Sequence, residues 1–388
     1  MDMECPSCHA LHWKAERLSN SSLANPKFGM CCFSGKIQLE PFATPPPELL
    51  ALLKGSDSTS KNFRNDIRRY NDALAFTSVG RNLQNIPAGG GYCFKVQGKV
   101  SHCAGSLHPQ EGAHPVYAQV YIYDPADGLN FRMTNNHNNG LSRDIMSLLQ
   151  DMLYHHHPGV DIYKQANELT RDMPVESNCR IILRFEKESD QRCYNLPGEN
   201  ADIAILIPGS GDQPDGYRDI VIHLHGGGVL SINECNPMYM TLHYVLLFWN
   251  GMSGWHPELP FRNGEEFISQ TEYYRYHLFP RANSENHLFY AGKLFHEFVV
   301  DSWAIAEQSR LRWILLNQVT LRADSYRGLM DAIAADPNVN GEQIGVRVIL
   351  PSSFSGSTRN MIQNCQDALA INHHFKGADL FITATANP

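Results

Sequence analysis

The spacing of apolar positions changes along the chain, and each change predicts a different kind of element. In NFRNDIRRYNDALAF the apolar residues Phe63, Ile67, Tyr70 and Leu74 recur every three or four positions, predicting a helix with one buried face and its arginines turned away. From about residue 91 to 225 the period shortens towards two, and GYCFKVQGKV, VYAQVYIYD, CRIILRF, ADIAILIP and DIVIHLH read as five β-runs. A helical stretch, SRDIMSLLQDMLYHHH followed by IYKQANELTRD, interrupts them after the second run. Helical spacing returns in EEFISQTEYYRYHLF and in the long segment that begins LFHEFVVDSWAIAEQ, where Phe295, Val299 and Ala306 mark a buried stripe. Near the C-terminus, Val346, Val348 and Leu350 alternate as in a strand. A Pro-Ser-Ser-Phe-Ser-Gly-Ser-Thr turn rich in N-cap residues then feeds a helix with Met361, Cys365, Ala368 and Leu369 on one face. Lys376-Gly377 stops that helix, and Leu380, Phe381 and Ile382 open a second β-prone run.

Together these elements predict an α+β chain. Residues 1–40 read as a zinc-binding module, and the Pro- and then Ser-rich stretch 41–60 as a linker with one short helix. Residues 61–225 read as a β-rich, DNA-handling domain whose five short strands and helical insertion fit a small, OB-like barrel. Residues 226–265 form a linking block, and 266–388 a helical lead-in to a strand–helix–strand unit.

Composition narrows the function. Of 388 residues 43% are hydrophobic, as in ordinary globular proteins, and a formal charge of −8 argues against a chain that clamps nucleic acid along its whole length. No apolar run is long enough to cross a bilayer and no signal core opens the chain, so a soluble intracellular protein without membrane contact is expected. Four of the ten cysteines fall within the first 32 residues, which suits a metal site in a reducing compartment better than a disulfide framework. Thiolates of Cys5 and Cys8 on one tight turn and of Cys31 and Cys32 on another can complete a zinc tetrahedron, with the fourth ligand open among Cys31, Cys32 and His9.

Other clusters carry two readings each. Arg64, Arg68 and Arg69 make the best basic stripe, either a phosphate-binding edge or a solvated helix face. Tyr117, Tyr121 and Tyr123 share one face of the second β-run and could stack unpaired bases or fill a core. His155-His156-His157 reads as a helix end meeting free carbonyls rather than a metal cluster. His223 and His225 fit a His-hydrophobe-His pair that would place two metal ligands on one face of a strand, and a metal-dependent nuclease or hydrolase built on them is the competing class. The run His225-Gly226-Gly227-Gly228 resembles an oxyanion loop, but Gly251-Met252-Ser253-Gly254-Trp255 lacks the last glycine of a nucleophile elbow. No Gly-x4-Gly-Lys-Ser/Thr run occurs, so ATP hydrolysis is not expected.

One stretch resembles a known family closely. ILPSSFSGSTRNMIQNCQDALAI followed by DLFITATANP is similar to the Helitron helicase-like domain, the replication-initiator (Rep) nuclease part of rolling-circle Helitron transposases. Cys365 stands where that family usually has Tyr and Ala386 where it has Cys. Further likenesses are Cys5 to Arg17 with Cys31 to Lys36, FRNDIRRYNDALAFTS, CYNLPGENADIAILIPG and LRADSYRGLMDA, so the resemblance spans nearly the whole chain. It implies a protein that nicks single-stranded DNA through a tyrosine phosphodiester with a His-bound Mg2+ or Mn2+, fused to a helicase and working in the nucleus. The family's metal-binding histidines and nucleophilic tyrosines would fall beyond Pro388, so the resemblance implies a truncated chain with no catalytic residue and no catalytic metal of its own. Residual binding of DNA, single strands above duplex, and a structural Zn2+ are what it leaves.

Overall fold

The predicted face of Phe63, Ile67, Tyr70 and Leu74 is buried as expected, but two short helices carry it. In the computed structural model, which describes residues 1–80, 101–171, 180–183, 204–207, 217–225, 228–264, 266–282, 284, 286–317, 350–354 and 357–377, the helix breaks at Asp66. Helix α1 (Pro47–Lys54) begins on a proline at its first position and buries Leu49, Leu52 and Leu53. Asp57 caps α2 (Ser58–Asn65) by accepting from the Ser60 amide at 2.9 Å, and α3 (Ile67–Leu74) follows. The stretch read as a linker is therefore packed on both sides of Gly55, where a Cβ would come within 2.6 Å of the Ala51 carbonyl oxygen.

Strands β3 (Ser78–Gly80), β4 (Ser101–Ala104) and β8 (Leu230–Ser231) form one antiparallel sheet in the order β3-β4-β8. A second antiparallel sheet has β5 (Arg180–Leu183) between β6 (Ala204–Ile207) and β7 (Ile220–His223), with Ile181 opposite Ile222. Three of the five expected β-runs are thus strands, while GYCFKVQGKV lies outside the described residues. The described strands do not close into an OB-like barrel, and much of the span expected to be β-rich is helical: α4 (Pro125–Thr134), α5 (Arg143–His156) and α6 (Pro158–Thr170).

The run VYAQVYIYD is not a strand. Tyr117–Ile122 forms a 3-10 helix that buries four consecutive residues, Ala118 to Tyr121, where a strand would bury alternate ones. Polar tips decide this: the Tyr121 hydroxyl donates to the Leu74 carbonyl at 2.6 Å, and the Gln119 amide to the Ser106 carbonyl at 3.0 Å. Both groups can be buried because both are satisfied.

The block read as a linking segment is core. Met238, Tyr239, Met240, Leu242, Tyr244 and Leu246 are buried, and Asn71 ties the turn down through its amide, donating to the His243 carbonyl and accepting from the Leu246 amide. Below it, a buried polar group joins β4 to α8 (Gly292–Leu316). His102 Nε2 lies 2.7 Å from Asp301 Oδ2, its Nδ1 lies 2.7 Å from the Tyr239 carbonyl oxygen, and the Tyr244 hydroxyl donates to the same carboxylate at 3.0 Å. Burial alone would raise the Asp301 pKa, yet the facing His102 holds it below the usual carboxylate value. The buried stripe of α8 includes Leu294, Phe298, Asp301, Ser302, Ile305 and, as expected, Ala306; Phe295 and Val299 of the expected stripe are only half-buried at its margin.

The chain divides into two compact units, 1–83 with 96–306 and 84–95 with 307–388, the boundary falling within α8. In the second unit α9 (Thr358–His374) is capped as expected, with Ser357 Oγ accepting from the Asn360 amide at 3.1 Å. Lys376 and Gly377 then turn left-handed to end it. The flanking β-runs at 346–349 and 380–382 lie outside the described residues. No described helix is long and apolar enough to cross a membrane.

Among the described residues of the first unit, the imidazoles of His157, His243, His277 and His287 are buried without an ion pair. His157 takes the Gly159 amide on Nδ1 at 3.1 Å as the N-cap of α6, and burial lowers its pKa, like those of His243 and His277, to about 3. The unfolded chain binds protons at these sites as pH falls through about 6.5 while the folded chain does not, so stability is full above that value and declines towards pH 3. Melting temperature should be level from pH 8 to 7 and fall steadily below 6. The slope should shrink in His157→Asn, whose amide oxygen can accept the same bond without titrating. A melt series level down to pH 4.5 would contradict this.

Candidate metal centre

Two turns bring the N-terminal cysteines together. The hairpin of β1 (Met3–Glu4) and β2 (Leu11–His12) encloses Cys5-Pro6-Ser7-Cys8, where the Cys5 amide donates to the Ala10 carbonyl and the His9 amide to the Cys5 carbonyl, both at 2.9 Å. The second turn leaves Cys31-Cys32 through Phe33, Ser34 and Gly35, all with positive φ. The Gly35 and Ile37 amides both donate to the Cys32 carbonyl, and the Gly35 amide also lies 3.2 Å from Cys32 Sγ. At Gly35, φ is +85° and a Cβ would approach Ser7 Oγ to 3.1 Å, so both the backbone and the neighbouring turn require glycine.

All four sulfurs are buried and lie within 4.8 Å of one another, with 3.8 Å between Cys5 and Cys32 and between Cys31 and Cys32. A tetrahedral ion with sulfur ligands at about 2.3 Å spaces them by about 3.8 Å, whereas a disulfide needs about 2.05 Å. The geometry is that of a ligand set. As bare thiols the four compete for protons: hydrogen bonds from Cys31 and Cys32 pull Cys5 far below the usual thiol value and Cys8 to about 7. Cys31, sharing protons with Cys32, Cys5 and Cys8, is pushed far up. A divalent cation would remove that conflict by holding every sulfur as thiolate. His9 is not in the cluster; its Nδ1 lies 2.6 Å from Glu4 Oε1 at the surface.

The support for these turns comes from far along the chain. Arg281 donates from Nε to the Cys8 carbonyl and from Nη1 to the Phe279 carbonyl, each at 3.1 Å, and its guanidinium lies over the Tyr276 ring at 4.0 Å. The Leu11 amide donates to the Pro280 carbonyl at 2.8 Å, and the Ala282 amide to the His9 carbonyl at 3.2 Å. Tyr276 stands on α7 (Gln270–Leu278), which opens with a reciprocal Ser269–Glu272 capping box. His12 is stacked on Phe28 at 3.9 Å and held by Glu16 at 2.8 Å. Nothing in the spacing of the cysteines pointed to Arg281, because its partners are carbonyl groups that any residue would offer.

The other residues singled out by pattern are scattered. Arg64 donates from Nη1 to the Leu52, Leu53 and Gly55 carbonyls and so caps α1. Arg68 is exposed and 3.9 Å from Glu297. Arg69 reaches Asp66 and the carbonyls of His137 and Asn139. Among the tyrosines Tyr121 is in the core, Tyr117 is at the surface and Tyr123 packs edge-on to Phe131 at 5.0 Å. His155 and His156 are exposed and end α5, and Pro158 begins α6. His225 stacks on His108 at 4.7 Å, and among the described residues the four cysteines are the group of three or more donors that could hold an ion.

Replacing Arg281 with Met keeps the stem and removes the donors to Cys8 and Phe279. A loss of about 1–3 kcal/mol in denaturant unfolding is expected, with faster exchange of the N-terminal amides. An unchanged midpoint would show that the bond to Cys8 carries nothing.

No curated protein matches the chain. A family model does: the Helitron helicase-like domain at N-terminus matches residues 273–388, from within α7 onward and including Arg281. Residues 273–388 are therefore a Helitron helicase-like N-terminal domain.

Proposed function

We propose that the chain is a transposon-derived, Rep/helicase-related protein that handles single-stranded DNA, with a structural Zn2+ held by Cys5, Cys8, Cys31 and Cys32. The family match over 273–388 carries this reading, and it gains weight because Tyr276 and Arg281, inside that match, hold the cysteine turns in place. Four soft donors with no open position suit zinc in a structural role better than Mg2+ or Ca2+, which take oxygen ligands. Bound there, zinc would supply folding energy rather than chemistry.

Around the module, exposed Trp13 follows His12 and precedes Lys14, and exposed Phe33 has the Lys36 ammonium 5.4 Å from its ring centroid. Aromatic rings beside cations suit unpaired bases and their phosphates, which local charge can attract despite a net charge of −8. A nuclear location and a part in rolling-circle transposition go with the reading.

Native mass spectrometry should find about one zinc per chain, and Cys8→Ser should lose it and unfold the N-terminal turns. Anisotropy with a labelled single strand should show binding that exceeds duplex binding and weakens as salt rises, because neutralised phosphates release counterions. Binding equal for a neutral-backbone oligonucleotide would remove the electrostatic part. Incubation with Mn2+ tests the competing reading: strand cleavage abolished by His223→Ala would favour a nuclease built on His223 and His225.

A further inference from the structure

Resting on the single-strand reading, we propose that the cleft between α3 and the 3-10 turn Tyr117–Ile122 binds one unpaired nucleotide, its base stacked on Tyr117 and its phosphate facing Arg69. Sequence pattern raised these residues on separate grounds, one as part of a basic stripe and the other as part of a tyrosine run. The fold sets them on the walls of one cleft of about 620 Å³, together with Asp72, Phe131, Asn135 and His137. That volume is within the range of sites for small ligands, roughly 300–1,000 Å³.

The walls differ in chemistry, and the differences match the parts of a nucleotide. Tyr117 is 37% exposed although neighbouring Ala118 to Tyr121 are buried, and its backbone sits at φ +52°, a region that residues with a Cβ seldom occupy. An exposed ring on a strained backbone at a cleft wall is a common mark of a binding position. Phe131 offers a second aromatic surface whose orientation is set by edge contacts from Tyr123 at 5.0 Å and His114 at 5.3 Å. Two flat apolar surfaces suit a base.

The polar wall is equally selective. Arg69 donates from Nη1 to Asp66 at 3.1 Å and from Nη2 to the His137 and Asn139 carbonyls at 3.0 and 2.6 Å. A guanidinium has five N–H groups, so among the described residues two remain without an acceptor, on a side chain that is 40% exposed and already fixed in direction. Those two can serve a phosphate oxygen without the ordering cost of a mobile cation. Asp72 on the same wall repels phosphate, which sets the backbone towards Arg69 and away from its side of the cleft. A ligand that was phosphate alone would make no contact with the two rings, and a purely apolar one would cover the partly exposed Arg69 guanidinium.

The test uses the full chain and a short oligo-dT carrying one 5-iodouracil. Ultraviolet crosslinking followed by peptide mass spectrometry should place the adduct on Tyr117 or Phe131. Tyr117→Phe should bind as the native chain does, while Tyr117→Ala should bind about tenfold more weakly with an unchanged salt slope, because a stacking contact and not a charge is lost. Alanine keeps the strained φ, so Tyr117→Gly is the companion: glycine adopts +52° freely, and this variant should fold at least as well while losing the same affinity. Native affinity in a folded Tyr117→Gly chain, with crosslinks mapping elsewhere, would overturn the cleft and leave the single-strand reading standing. Failure of the native chain to bind any single strand would overturn both.

Discussion

Four sulfur atoms within 4.8 Å of one another impose the constraint from which the N-terminal part takes its form. Thiolates this close repel, and thiols this close can only trade protons, so the arrangement is favourable with a cation among them and costly without one. The two turns that deliver the sulfurs take left-handed backbone at His9, Phe33 and Ser34, where a Cβ makes it costly, and at Gly35, where it is free. Local apolar residues are few there, and the turns lean instead on Arg281, Pro280 and Ala282 through backbone and guanidinium bonds. The cysteine module and the start of the Helitron helicase-like domain are consequently one packed body.

The same unit relies on polar groups placed where no water reaches. His102 faces an oxygen from each ring nitrogen, Asp301 takes both His102 and Tyr244, and Asn71 satisfies a donor and an acceptor of the turn at 243–246. Each bond joins segments far apart in sequence, and each would leave a buried partner unsatisfied if broken. Such groups select one arrangement of the core where apolar packing alone would tolerate several. They also account for the turn-rich stretch 238–248, which is buried without being regular helix or strand.

Cations counted along a helix are a poor guide to a ligand until their partners are known. Arg64 belongs to the same short basic run as Arg69, yet its donors go to the end of α1, and it holds structure together rather than facing a ligand. Arg69 makes carbonyl bonds too, but its guanidinium stays at a cleft wall. Charge counted along a helix cannot separate these cases, because the deciding carbonyls come from other elements.

Much of the local structure followed from sequence. The buried face of Phe63, Ile67, Tyr70 and Leu74, the cap at Ser357 and the helices over 143–170 all obey periods and cap rules set by neighbours a few residues away. The meeting of the four cysteines was readable, since two tight turns of the right residues need only approach each other. What sequence could not decide was everything that depends on a distant partner. The alternation in VYAQVYIYD resembled a strand until Leu74 and Ser106 offered acceptors to Tyr121 and Gln119, and burial then made a 3-10 helix of it. The choice between His9 and the paired cysteines needed the position of Glu4, and the meeting of Arg69 with Tyr117 needed the packing of α3 against that helix. Local rules specify which conformations a segment prefers. Only tertiary contacts supply the hydrogen-bond partners that decide which polar group is buried, and so which surface remains to act.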